Sequence, residues 1–422
     1  MKKHFYFSIL LGGVWLLIST CFAIRWARAV ACDLPAVYVW WVIIGIALLP
    51  GFLMSAMFFS NLFHRKPQTF PDTGESVTII MCAYNEGPTI AEAIRCVCRQ
   101  IYAGTIRLLV VDNGSTDETK KQILKMCALS HARCRIEYVF CPEKGKANAL
   151  NCGLQLVDTQ HFLTVDADTY LEQNAVQRIM NRIVHIGCAC VAGNLFVKNT
   201  KKSLSTQMQN YDYLLSIAAI KRFQGSYQST LVAQGAFSAF QTSDVRALGG
   251  WRRCFGEDIV LTYQLLEQGK TSSYEPTSVG YTVVPETLNG LYNQRKRWAM
   301  GMLEGFAHVK PWGQGSPFSR YFTWVNLSVI YLDVAFLFGF IPGLILALCG
   351  YAYFVGCLTI LALMVSIVLY LSMYLYQKRL HIPFQNSLLG FVCFLFLFQA
   401  TQSTAALHGY CTHLLKGGGD WK

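Results

Sequence analysis

Two pairs of acids are the groups in this chain whose types and spacing could do chemistry most directly. Asp166-Ala167-Asp168 follows the apolar run Phe162 to Val165, and Glu257-Asp258 follows Gly256. Side chains two apart on an extended chain face the same way, so Asp166 and Asp168 can address one point. A hard divalent cation, Mg2+ or Mn2+, bridging diphosphate oxygens suits such a pair, because magnesium takes one or two carboxylates plus substrate phosphates. Asp-X-Asp alone is common, and an adjacent acid pair is often a solvated helix start. Lys144 and Lys146, at the head of a segment running to Asn151, add cations beside a helix N-terminus, an arrangement that suits a diphosphate.

Such groups must be brought together by a scaffold, and the surrounding pattern supplies one. Val77 to Cys82 reads as a buried parallel strand, followed by the loop Ala83, Tyr84, Asn85, Glu86, Gly87 and a helix from Thr89. Leu108 to Val111 is a second strand, with the loop Asp112 to Asp117 and a helix carrying Lys120, Lys121 and Lys125. Ile136 to Phe140 and Phe162 to Val165 repeat the unit. The pattern predicts an α/β fold, a mostly parallel sheet with helices on both faces. In doubly wound sheets ligands bind outside the carboxyl ends of strands, so the polar loops share a cleft. Ser115, Thr116 and Asp117 also read as helix caps.

The rest of the chain is too apolar for an ordinary soluble enzyme, with 53% hydrophobic and 14% charged residues in 422. Phe5 to Ile24 and Ala36 to Ser60 are each long enough to span a bilayer core. A signal peptide is the rival for the first, given Lys2, Lys3 and the small residues Ala27, Ala29 and Ala31, but its length and the second span argue for a membrane helix. Tyr321 to Gly350, Tyr351 to Tyr376 and Leu388 to Tyr410 give two or three further spans, the first interrupted by Asp333 and Pro342. The expected organisation is two helices in 1–66, a soluble domain in 75–300, an interfacial basic and aromatic segment in 290–320, membrane helices in 321–416 and a tail at 417–422.

Lys and Arg favour the cytoplasmic side of short flanks. Lys2, Lys3, His64, Arg65 and Lys66 put both ends of the first helix pair inside, against Arg25 and Arg28, and Lys378 with Arg379 fits a later return. The soluble domain is therefore expected in the cytoplasm. The net charge of +12 reflects this bias, anionic lipid and a phosphate-bearing substrate. Nucleic acid is excluded as a partner class, since no basic helix or RNA-binding signature accompanies the charge. The sixteen cysteines lie in membrane helices and a reducing compartment, and Cys96 with Cys98 and Cys188 with Cys190 lack zinc-site spacing.

Taken in order from Val77 to Trp298, these motifs resemble the family 2 glycosyltransferases, inverting enzymes with the nucleotide-sugar-binding GT-A fold. The flanking helices are similar to the processive membrane branch that includes cellulose, chitin and hyaluronan synthases. The resemblance implies donor binding by Ala83, Tyr84, Glu86, Asp112, Asn113, Lys146 and Asp166, and a metal at Asp168 with Asp166. It aligns Gln234 to Phe240 with an acceptor motif, Glu257 and Asp258 with the catalytic acids, and Gln294, Arg295, Arg297 and Trp298 with the product-side motif. An acceptor hydroxyl is a poor nucleophile until a carboxylate takes its proton, which implies Asp258 as general base with Glu257 as the alternative. Arg295 and Arg297 then face the departing UDP, and Trp298 stacks on a sugar or anchors at the interface.

Two departures from the family pattern stand out: Asn113 where many relatives have an aspartate against uracil, and Gly256 where many have threonine. An asparagine can still accept from the ring N–H. Tyr274-Glu275-Pro276 and Val284-Pro285-Glu286-Thr287 most resemble the bacterial poly-β-1,6-N-acetylglucosamine synthases. That implies UDP-N-acetylglucosamine as donor, a growing polysaccharide acceptor, the bacterial inner membrane as location and, for some relatives, a small membrane accessory subunit. The resemblance also implies a chain without the cyclic-dinucleotide sensor of cellulose synthase. Synthesis of hyaluronan, chitin or another β-linked polymer, glycosylation of a lipid, and an inactive membrane scaffold are the alternatives.

Overall fold

The computed structural model describes residues 2–64, 66–128, 130, 133–354 and 357–416. Arg65, one of the residues behind the charge bias, and the tail 417–422 lie outside these residues. Eight strands among the described residues form one sheet: β1 Val77–Ala83, β2 Ile106–Asp112, β3 Cys134–Phe140, β4 His161–Asp166, β5 Thr169–Leu171, β6 Cys190–Val197, β7 Phe237–Gln241 and β8 Ser272–Thr282. Their order is β3-β2-β1-β4-β7-β6-β8-β5. Strands β1 to β4 are mutually parallel, whereas β7 runs antiparallel to both β4 and β6, and β5 antiparallel to β8. The sheet is therefore mixed, with its parallel half carrying the loops Ala83 to Gly87 and Asp112 to Asp117.

Both faces of this sheet are covered, and the period of two along each strand decides which side chain goes where. Ile79, Met81, Leu108 and Val110 pack under the helices Ile90–Cys98, Thr119–Cys127 and Ala175–Ile186. Ile80, Val111 and Phe162 face the opposite way, against Lys146–Gln155 and the helix Glu257–Glu267, here the acid helix. Burial of each such side chain contributes about 1.5–3 kcal/mol, which is why continuous apolar runs suit these strands.

Four helices among the described residues are long and apolar enough to cross a membrane: Lys2–Val30, Ala36–Phe63, Pro317–Leu348 and Leu388–Leu415. A further helix, Cys357–Arg379, occupies the segment between the last two. Proline does not break Pro317–Leu348, because a π turn at Phe336–Phe340 precedes Pro342. The ring of Pro342 cannot donate to the carbonyl four residues back. That carbonyl, on Phe338, instead accepts from the Tyr38 hydroxyl at 2.7 Å. Pro50 follows a π turn at Ile44–Leu48 in the same way.

Aromatic contacts stitch the helix ends to the sheet domain. Phe5 lies 5.0 Å from both Tyr227 and Phe318, and His4 5.3 Å from His64. The lysine-bearing end of the first helix, the end of the second and the start of the third thus meet at one place on the domain. Leu388–Leu415 also begins against the domain, where the Tyr211 hydroxyl donates to the Ser387 carbonyl at 3.0 Å. This last helix then lies along Leu288–His308, here the motif helix because it carries Gln294 to Trp298. Tyr292 and Lys296 bond the two ring nitrogens of His408 at 2.8 and 3.0 Å.

Candidate active site

The carboxyl ends of β1, β2 and β4 open on a cavity of about 460 Å³. Its lining includes Ala83, Tyr84, Glu86, Asn113, Lys146, Asp166, Asp168 and Arg297. The first two loops are zipped together: the Asn85, Glu86 and Gly87 amides donate to Ser115 Oγ, Thr119 Oγ1 and Asp117 Oδ2 at 3.1, 2.7 and 3.0 Å. In return Asn85 Oδ1 accepts from the Thr116 amide at 2.8 Å. Asn85 has φ 56°, a left-handed conformation that asparagine tolerates better than most residues. Ser115 and Asp117, which read as caps in sequence, hold the neighbouring loop.

Asp112 and Asn113 do different work from one another. Asp112 is buried, its Oδ1 accepting from the Ser115 amide at 2.9 Å and its Oδ2 from the Tyr138 hydroxyl at 3.2 Å. It shapes the loop and does not line the cavity. Asn113 does line it, with its amide already bonded: Oδ1 accepts from the Gly145 amide at 2.7 Å and Nδ2 donates to the Glu143 carbonyl at 2.6 Å. Gly145 has φ 122°, a conformation readily available only to glycine. Asn113 therefore fixes the turn that launches Lys146–Gln155.

Lys146, the first residue of that helix, is the hub of the site. Its Nζ lies 2.8 and 3.0 Å from the two Asp166 carboxylate oxygens and 3.9 Å from Glu257 Oε1. Burial would lower the Lys146 pKa, but the Asp166 and Glu257 charges outweigh it and hold the ammonium well above its ordinary value. Gly235 lies over this junction, where a Cβ would sit 3.1 Å from Lys146 Nζ. Its amide donates to Asp258 Oδ2 at 3.2 Å. The Gln234 to Phe240 motif and the acid pair are thus joined across 23 residues of sequence.

The site holds more acid than its cations neutralise. Burial, then the charges of Asp166 and Glu86, push the Asp168 carboxyl up to about 7. Burial, then Asp258, push Glu257 up to about 8. Glu86 is also raised, by burial first. Buried carboxylates at this density suit a divalent cation, and Asp166 and Asp168 offer the hard oxygen donors that Mg2+ or Mn2+ prefer.

The product-side motif divides. Arg297 lines the cavity, and burial lowers its pKa while Glu257 opposes that shift. Arg295 points elsewhere, donating to Asp212 at 2.6 Å with its guanidinium 4.2 Å from the Trp298 ring and 5.3 Å from the Phe398 ring. Gln294 and Trp298 are on the same helix outside the cavity lining, Trp298 being exposed. Asp212 and Glu304 escape a reading of the sequence, because their partners Arg295 and Gly256 lie 83 and 48 residues away, and Lys221 because nothing local marks its burial. Lys221 is buried and bonds the Val232 carbonyl at 3.0 Å and the Gln234 side chain.

The chain matches, over residues 78–249, the family described as Glycosyl transferase family 2. Its fold is shared with the mannosyltransferase PcManGT from Pyrobaculum calidifontis, whose structure is a complex with GDP-Man and Mn2+. The likeness has a TM-score of 0.60 at 19% identity and covers 89% of this chain and 99% of that one. In sequence the chain is similar to the poly-beta-1,6-N-acetyl-D-glucosamine synthase of Staphylococcus aureus strain COL, 31% identical over 243 residues, or 56% of this chain and 57% of the relative. It is 28% identical over 232 residues to the synthase of the same name from Staphylococcus epidermidis, 54% of each. The chain thus spans little more than half the length of these relatives.

Proposed function

We propose that this chain is an inverting, processive glycosyltransferase of a bacterial inner membrane that polymerises N-acetylglucosamine from UDP-N-acetylglucosamine into a β-linked exopolysaccharide. The observation that carries the reading is that Lys146, which lines the cavity with Asp166 and Asp168, also approaches Glu257 from that cavity, with Asp258 held next to it by the Gly235 amide just outside the lining. The names of the relatives support the sugar. The apolar helices joined to the motif helix support passage of the product across the membrane.

In this reading the uridine diphosphate occupies the cavity, with its phosphates toward Lys146 and Arg297. Lys146 exchanges part of its contact with Asp166 for phosphate oxygens. A divalent cation held by Asp166 and Asp168 would neutralise charge on the leaving diphosphate. Asp258 takes the proton of the acceptor hydroxyl as its oxygen forms the new bond to the anomeric carbon, and the bond from that carbon to the diphosphate breaks on the opposite face. The hydrogen bond from the Gly235 amide orients Asp258 beside the acceptor motif.

The test is product analysis with purified protein, a divalent cation and labelled UDP-sugars. Long chains from UDP-N-acetylglucosamine support the reading; short oligosaccharides or a glycolipid would replace it with a non-processive transferase, and labelling only from another UDP-sugar would move the substrate. Asp258→Asn is expected to lower UDP release about 100-fold or more. Full UDP release by that variant would remove Asp258 from the chemistry.

A further inference from the structure

The acid helix starts without a cap of its own. Its N-cap residue is Gly256, which has no side chain to offer, and the third helical residue is Ile259, which cannot reach back to the N-cap amide as a capping-box acid does. That amide is nonetheless bonded. Glu304, buried on the motif helix, accepts from the Gly256 N–H at 3.0 Å, and its carboxylate also interacts with the Phe255 backbone.

The glycine at 256 follows from the same crossing. A Cβ there would sit 2.6 Å from the Gly301 Cα and from its carbonyl oxygen, and a Cβ on Gly301 would sit 2.7 Å from the Gly256 Cα. Two backbones touch where the family resemblance leads one to expect threonine. The motif helix therefore both presses on the residue before Glu257 and Asp258 and supplies its cap, while its outer side is bonded to the last apolar helix through Tyr292 and Lys296.

We infer that Glu304 is a positioning residue: by capping Gly256 from the motif helix, it sets the placement of Asp258 and ties it to the apolar helix packed on the other side. The inference rests on Asp258 as the acceptor base. Donor binding is served by the carboxyl ends of β1, β2 and β4, by Lys146–Gln155 and by Arg297 on the motif helix; the cap itself bonds only the backbone before the acid helix, so its loss should harm turnover and spare the donor. A carboxamide can still accept from the Gly256 amide, so glutamine should restore what an apolar side chain loses.

The experiment compares full-length Glu304→Met, Glu304→Gln, Gly301→Ala and Asp258→Asn in detergent or lipid discs, measuring kcat and donor KM from UDP release and UDP affinity by calorimetry. Glu304→Met is expected to lose about 10- to 100-fold in kcat with donor KM and UDP affinity within about twofold, while Glu304→Gln stays within about threefold of the parent. Gly301→Ala should show the same kcat lesion with Glu304 intact. Wild-type turnover in Glu304→Met overturns the inference, as does an equal loss in Glu304→Gln, a fall in UDP affinity parallel to kcat, or undiminished turnover in Gly301→Ala. If Asp258→Asn is inactive and Glu304→Met is normal, this inference alone fails. If Asp258→Asn turns over normally, the base assignment fails and takes this inference with it.

Discussion

Arg295 and Arg297 stand two residues apart on one helix and face different problems. Arg297 reaches the cavity, so Arg297→Ala should raise the UDP dissociation constant by about 10- to 100-fold, the loss of one charge-assisted phosphate contact. Arg295 is buried against Asp212, with the Trp298 and Phe398 rings beside its guanidinium. Removing one partner of a buried pair strands the other, so Arg295→Ala should cost about 3–5 kcal/mol of stability. Chemical denaturation in detergent would read that loss, and an unchanged midpoint would argue against the pair's structural role. Lys221 gives a residue-scale pH signature. Burial holds it at about 7, against an ordinary 10.5. Between those values the unfolded chain keeps the proton and the folded chain releases it, so stability rises with pH across that window; below it the penalty is full and constant. The melting temperature of the parent should therefore climb from pH 7 to 9.5 relative to Lys221→Met, and parallel profiles would refute the buried, neutralising lysine.

At the scale of elements, the cavity is built by loops that hold one another. Asn113 links the end of β2 to the turn before Lys146–Gln155, and its amide nitrogen must donate there to the Glu143 carbonyl. Asn113→Asp keeps an acceptor for Gly145 but turns a carboxylate oxygen toward that carbonyl. The cost should be about 1–3 kcal/mol, seen as a lower melting temperature. A variant as stable as the parent would mean that the turn tolerates loss of this donor. The departure from the family's aspartate is thus explained by the loop it holds as well as by any base it meets. Gly256 is explained similarly, by the Gly301 backbone.

For the whole molecule, the helix ends define two poles. His4, His64 and Phe318 gather at the sheet domain, while Cys32 between the first two helices and Cys349 at the end of Pro317–Leu348 are exposed. If the domain is cytoplasmic, an impermeant maleimide applied to spheroplasts should label variants retaining only Cys32 or only Cys349. Labelling that requires permeabilisation would reverse or abolish the proposed topology. Cys411 is exposed on the last helix, which lies along the motif helix, so its thiol should react only after permeabilisation. Asp333, an interruption in the sequence, is a tie between helices: it accepts from Ser403 at 2.7 Å and Tyr410 at 2.9 Å.

The parallel half of the sheet, its polar loops and the apolar helices were legible in the sequence, because strands and spans are written in local periodicity and length, and Asp166-Ala167-Asp168 sits where a strand stops. Local pattern carries no such record of partners 83 residues apart, as Arg295 and Asp212 are, or 48 apart, as Glu304 and Gly256 are. Only the tertiary structure could turn Arg295 away from the cavity, join Lys146 to both acid groups, insert β7 antiparallel between β4 and β6, and lay the last helix on the motif helix. The two acid pairs gain their meaning in the same way: spacing names them, and burial with a shared lysine makes them one site.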